Sequence, residues 1–152
     1  MSARSPIIIT PSDSGEVLRA FGEEIIVHLG GDQTGGKVCM FTETTPPGGG
    51  PPPHYHHDQD AWFYPLTGRA EFFLDGEWQE AEIGSVVFVP AGMVHAFRNP
   101  GDAPLKMLVH TASAGFETFF KRCSEEFEKE SGPDMDRIFK ISAEHGLHFV
   151  VE

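Results

Sequence analysis

Thr45-Pro46-Pro47-Gly48-Gly49-Gly50-Pro51-Pro52-Pro53-His54-Tyr55-His56-His57 is the stretch on which the reading of this chain turns. Its prolines have no donor for a sheet ladder and its glycines have no side chain for a core, so 45–53 is a connection that delivers the chain into His54. If 54–57 continues as a strand, alternate residues share a face. His54 and His56 then point the same way, close enough to hold one ion, and His57 points to the other side. A third donor has to come from elsewhere, and Pro90-Ala91-Gly92-Met93-Val94-His95 offers one, its Pro and Gly turn aiming a strand that begins near Val94. The alternative is a set of hydrogen-bonded histidines inside a barrel without an ion. Three imidazoles grouped in an apolar interior would then leave donors and acceptors to satisfy, so metal binding is the preferred reading.

Working outward, short apolar or alternating runs bounded by Gly, Pro, Asn and Asp fill residues 7 to 112, the pattern of strands. They fall at 7–9, 16–20, 24–29, 37–45, 54–57, 61–66, 69–74, 77–82, 86–89, 94–98 and 105–111. Asp75-Gly76 between two runs is a favoured two-residue hairpin turn. Strands this short and this tightly joined point to an all-β sandwich or barrel. After Ser113 the period changes. Phe116, Phe119, Phe120, Cys123 and Phe127 recur at steps of three and four, one stripe of a helix whose other face carries Lys121, Arg122, Glu125, Glu126 and Lys129 and which Gly132-Pro133 ends. The stripe is expected to pack the helix on the outside of the barrel rather than to form a lid over a pocket. A shorter helix follows from Asp134 as its cap, through Met135, Ile138, Phe139 and Ile141, to Gly146, and Leu147–Val151 reads as a strand or extended tail. The division is therefore 1–112, a barrel with N-terminal strands, and 113–152, a helical extension packed on it within the same domain.

The chain has 152 residues, 39 % hydrophobic and 22 % charged, which suits one folded globular domain. With 11 Lys and Arg against 23 Asp and Glu, its net charge of −12 opposes the counterion release that drives binding to phosphate backbones, so neither nucleic acid nor an anionic membrane is an expected partner. The apolar run Ile7-Ile8-Ile9 is too short for a secretory core or a membrane span, and a cytoplasmic location is expected. Cys39 and Cys123 form no close metal-binding spacing and read as buried thiols. No Ser-His-Asp order, phosphate loop or paired-carboxylate signature appears, which leaves hydrolysis by a nucleophile, phosphoryl transfer and glycoside cleavage without support.

Two motifs carry a resemblance to a known family. Gly84, Pro90, Gly92, His95 and Asn99 complete G-x5-P-x-G-x2-H-x3-N, and Gly48, His54, His56 and Gly68 match G-x5-H-x-H-x(3–4)-E-x6-G, with residues 69–83 between the motifs. Over about residues 35–112 the chain resembles the small single-domain cupins, including those labelled quercetin-dioxygenase-like. The resemblance implies a double-stranded β-helix or jelly-roll barrel with a metal site in its mouth. The chain departs from the pattern at one position: counting back six from Gly68 places the glutamate ligand at 61, where this sequence has Ala61. Asp60 and, more weakly, Gln59 are candidate replacement ligands. Some cupin dioxygenases of small diketones, thiols and hydroxylated aromatic acids use three histidines alone, so the substitution is compatible with enzyme chemistry.

The expected metal ligands are thus His54, His56 and His95, holding a divalent ion such as Fe, Ni, Zn, Cu or Mn. Three neutral ligands leave the ion its full charge, which favours a chelating anion such as an enolate or carboxylate. Met40, Ala61, Phe63, Phe72, Phe88 and Phe97 are the candidate pocket residues, and a greasy pocket suits a small aromatic or enolisable ligand. His28 and His110 lie in candidate strands as weaker cavity candidates. Two functions remain open, a metal-dependent dioxygenase and a non-catalytic small-molecule binding or sensing protein, with a cupin isomerase or lyase as a further choice. A homodimer is expected, with strands 7–9 and 16–20 covering a partner's edge.

Overall fold

A computed structural model describes residues 6–150. Its strands, in chain order, are β1 (Glu16–Ala20), β2 (Glu23–Leu29), β3 (Cys39–Thr45), β4 (His54–His56), β5 (Asp60–Thr67), β6 (Ala70–Leu74), β7 (Glu77–Ala81), β8 (Val87–Val89), β9 (Ala96–Arg98), β10 (Leu105–Ala112) and β11 (Leu147–Phe149). The helices are α1 (Gly31–Thr34), α2 (Phe116–Phe127) and α3 (Met135–Glu144). One sheet runs β1-β2-β3-β10-β5-β8, a second β7-β6-β9, and β11 pairs with β4. Every pairing is antiparallel. The fold is an all-β jelly roll with helices added at its C-terminal end.

Alternation produces this arrangement strand by strand. In β3, Cys39, Phe41, Glu43 and Thr45 are buried, while the residues between them are half-exposed. β10 follows the same rule with Leu105, Met107, Val109 and Thr111 inward. Asp75 and Gly76 both adopt positive φ, 53° and 83°, the conformation a tight two-residue turn between β6 and β7 requires. One hydrophobic cluster joins barrel residues such as Ile25, Phe41, Phe72 and Val109 to Phe119, Phe120, Cys123, Ile138 and Ile141 of the helices. Asp134 caps α3 by accepting from the backbone N–H groups of Asp136 and Arg137.

Several expectations need correction. Residues 7–9 form no strand, and Ile7 and Ile9 lie exposed, because a three-residue apolar run with no neighbour to pair with gains nothing from extension. The strand expected from 37 begins at Cys39, after the short helix α1 and its turn, which the sequence reading missed. α2 stops at Phe127, before Gly132-Pro133, so Lys129 lies beyond it. Glu126 is not on the solvent face: it is buried, and its Oε2 pairs with Lys129 Nζ at 2.7 Å and Arg137 Nε at 3.2 Å, tying α2 to α3. Among the described residues no helix is long and apolar enough to cross a membrane.

The Pro-Gly connection is an ordered strap. Gly48 N–H donates to Asn99 O and Asn99 N–H to Gly49 O, at 2.9 and 3.0 Å. Asn99 Nδ2 donates to the carbonyls of Thr45 and Ala103 at 3.0 and 2.8 Å. Gly50, at φ 138°, passes so close to β9 that a Cβ there would overlap the Phe97 carbonyl oxygen. Gly50→Ala is therefore expected to destabilise the protein by about 3 kcal/mol or more, or to prevent folding. Gly35→Ala, where φ is 67° and a Cβ meets nothing within 4 Å, should cost only about 1 kcal/mol. Urea denaturation of the two variants checks this, and equal losses would contradict the close approach at Gly50.

Candidate metal centre

The site is held by main chain. On one side of β4, β11 places Leu147 opposite His56 and Phe149 opposite His54. On its other side His54 N–H donates to His95 O at 3.0 Å and His95 N–H to His54 O at 2.9 Å, while Gly92 N–H donates to His56 O at 2.7 Å. β4 is thus clasped between the end of the chain and the Pro-Gly turn before β9, and the two histidine-bearing segments come together. The parity expected for 54–57 is observed: His54 and His56 are buried, Tyr55 faces the other way against His148, and His57 is exposed.

The three rings converge. One ring nitrogen from each of His54, His56 and His95 lies within 4.8 Å of the others, and ring centroids stand 4.4 Å apart for His54 and His95, 5.2 Å for His54 and His56, and 5.8 Å for His56 and His95. His54 Nδ1 donates to Pro52 O at 2.9 Å and His95 Nδ1 to Met93 O at 3.0 Å. A carbonyl can only accept, so in both rings Nδ1 carries the proton and Nε2 keeps its lone pair, the tautomer that a metal ligand needs. Burial, reinforced by the His95 and His56 rings, pulls His54 down to about 3, and burial with His95 pulls His56 down to about 4. Burial lowers His95 as well. All three are neutral at pH 7, and three neutral imidazoles fit a borderline divalent ion.

The rings open onto a cavity of about 130 Å³. Ala61, Phe63 and Phe97 line it, with Phe41 and Val109 from β3 and β10. Ala61 is buried on the inner face of β5, so the position where the motif has a carboxylate does face the site. Phe116, Phe119 and Phe120 also line the cavity, and Phe116 stacks on Phe41 at 5.1 Å and lies 5.9 Å from the His56 ring. The Phe stripe of α2 is therefore a pocket wall as well as packing, contrary to expectation.

Other candidates lie elsewhere. Met40 is outside the cavity because β3 turns Phe41 inward, so the choice of Met40 was off by one residue. Phe88 is 57 % exposed on the edge strand β8 and packs on Trp62. Phe72 is fully buried, but behind Phe63 and Phe97 rather than on the cavity wall. Asp60 Oδ1 accepts from Ala91 N–H at 2.9 Å, holding the turn before His95, and the side chain is not part of the histidine cluster. Gln59 Nε2 donates to the carbonyls of Ser113 and Ala114, which holds the side chain on the segment before α2, and it is not part of the histidine cluster. His28 bonds Thr42 Oγ1 and His110 stacks on Trp62, neither on the cavity.

The sequence reading missed Glu23 and Glu43. Both are buried and both line the cavity. Thr45 Oγ1 donates to Glu23 Oε1 at 2.5 Å, and the Glu23 and Glu43 carboxyl groups lie close enough to shift each other's titration. Burial raises both, and the neighbouring Glu23 charge pushes Glu43 well above the usual carboxylate range. Of the two, Glu43 is the group that more readily holds a proton. The alternation in Cys39-Met40-Phe41-Thr42-Glu43-Thr44-Thr45 does put Glu43 on the face of Phe41; what the sequence hides is that Glu23, on the neighbouring strand β2, comes beside it.

A family model described as a cupin domain matches residues 41–111. No curated protein matches the chain. Among solved structures, KdgF from Halomonas sp. is similar at a TM-score of 0.63 with 15 % identity, covering 73 % of this chain and 99 % of that one. A predicted oxalate decarboxylase from Thermotoga maritima gives 0.61 with 22 % identity over 70 % and 99 %, and the polyketide cyclase RemF from Streptomyces resistomycificus 0.61 with 19 % identity over 71 % and 80 %. At these identities the likeness concerns the fold. The strand order, both histidine segments in their places and the match over 41–111 agree, and residues 41–111 are a cupin domain.

Proposed function

We propose that the protein is a metal-dependent enzyme that holds a divalent ion (Fe, Ni, Zn, Cu or Mn) on His54, His56 and His95 and acts on a small chelating anionic or aromatic substrate in the adjoining cavity. The observation that carries this is the convergence of three neutral ring nitrogens on one apolar cavity, two of them with their tautomer fixed by a backbone carbonyl. When bound, such an ion supplies Lewis-acid polarisation and, if it is iron, the electron steps of dioxygenase chemistry.

The chain's own residues define the rest. The histidines contribute no charge, so the ion's attraction for an anion is undiminished by its ligands. Phe41, Phe63, Phe97 and Phe116 keep water away and leave the substrate few orientations. A cavity of about 130 Å³ is close to the roughly 150 Å³ that accepts benzene, which suits one ring or a short chain and is too small for a three-ring flavonol. A binding protein without turnover is the second reading, favoured by Ala61, which withholds the carboxylate ligand.

Titration of metal-free protein with zinc, read by calorimetry, is expected to give one ion per chain, and His95→Ala should weaken it by roughly 100-fold or more. Equal binding by wild type and His95→Ala would refute the site. Oxygen uptake by Fe(II)-loaded protein with a panel of small diketones and hydroxylated aromatic acids separates enzyme from binder, since a loaded protein that consumes none across the panel is the binder.

Ala61→Glu places a carboxylate on the inner face of β5 and should tighten zinc by about tenfold or more. Unchanged affinity in a folded variant would mean that residue 61 cannot reach the ion.

The acid limb of stability carries a further expectation. In the folded protein His54 titrates at about 3, against an ordinary value of 6.5. Between those values the unfolded chain binds a proton that the folded one does not, so His54 costs stability as pH falls through that window. Relative to His54→Asn, metal-free wild type should lose about 2 kcal/mol between pH 7 and 5 in urea denaturation. A difference that stays constant with pH would contradict a buried neutral His54.

A further inference from the structure

The histidines leave Glu23 and Glu43 without a role, yet the two carboxyl groups line the same cavity. Burying them among Phe and Val is costly, and apolar side chains of similar shape would pack there more favourably, so their presence calls for a function. Thr45 fixes Glu23 through Oε1, and Glu43, on the same cavity wall and pushed further toward its protonated form, sets a carboxyl that can hold a proton near a carboxylate that can take one. With Glu23 ionised, this part of the wall is negative, and the ion-binding end of the cavity is positive when loaded. A ligand with an anionic head and an uncharged, weakly acidic C–H at its other end then has one favoured orientation, head toward the histidines.

We propose that Glu23 and Glu43 are a proton-transfer pair acting on the carbon beside the carbonyl of a small 2-oxo acid, whose carboxylate and carbonyl oxygens face His54, His56 and His95. The assignment rests on the metal reading above. In the step, Glu23 takes the proton from C3, the C–H electron pair becomes the C2–C3 π bond, and the carbonyl π pair moves onto the C2 oxygen. The carboxyl pair holds two protons until one returns to C3. No oxidant or reductant is consumed, and the chemistry is that of an isomerase or lyase half-reaction.

The test is the exchange of the C3 protons of 2-oxobutanoate in D2O, followed by proton NMR with zinc-loaded protein, zinc being inert to redox. Wild type should exchange them at least tenfold faster than buffer containing the same zinc. Glu23→Gln and Glu43→Gln should each lose at least tenfold of that acceleration while keeping wild-type zinc content and a cooperative melt. Should Glu43→Gln fail to fold, Glu43→Met, which fills the same space without a polar atom to bury, replaces it with the same expected loss. Folded variants that exchange as fast as wild type overturn the proposal. Wild type that binds zinc but gives no acceleration overturns it and leaves the metal site standing, whereas a protein that neither binds zinc nor exchanges refutes both.

Discussion

The paired backbone hydrogen bonds between His54 and His95 are the constraint on which the rest of the site depends. They join two segments remote in sequence, and they do so with main-chain groups, so the ring positions follow from the fold rather than from side-chain preference. The cost of closing so long a loop is met elsewhere, by the ladder from β1 to β8 and the shared core under α2 and α3. The Pro-Gly strap, stitched to Asn99, and β11, paired along β4, hold the clasp from both sides. The C-terminal helices and β11 are thus part of the site: they deliver the strand that backs the histidines and the phenylalanines that close the cavity.

The cavity is polar at two places and greasy between them. At one, burial keeps three imidazoles neutral, and in His54 and His95 the proton sits on Nδ1 and leaves a lone pair on Nε2 for an ion. At another, two carboxyl groups are buried together, with Glu43 pushed well above the usual carboxylate range. Each arrangement is unfavourable to stability by itself, because polar groups are desolvated and not fully compensated. Their placement on the wall of one cavity is what the proposed binding of an ion and a small polar ligand would require, and stability given up at functional positions is a common pattern.

Much of this was legible in the sequence because it rests on local rules. The Pro and Gly run had to be a connection, the spacing of His54 and His56 had to place both rings on one face, and the Phe stripe had to be helical. Ala61 could be read as a missing ligand and does face the cavity. The misreadings share a physical cause, in that parity and pairing are set by distant partners. Met40 and Phe41 are equally apolar, and only the register with β10 decides which points inward. Phe88 falls on an edge strand whose outer face stays in water, and Ile7 to Ile9 have no strand to join. The Glu23 and Glu43 contact is invisible for the same reason, since a lone Glu in a strand ordinarily faces solvent and the two meet only through the β2 and β3 pairing.

Crystals grown with zinc and measured across its absorption edge would show whether one ion sits where these three rings converge. A single strong anomalous peak is expected, with nitrogens of His54, His56 and His95 at about 2.0–2.1 Å and no protein carboxylate in its shell. A map with no peak between the rings, or a peak ligated by other residues, would contradict it.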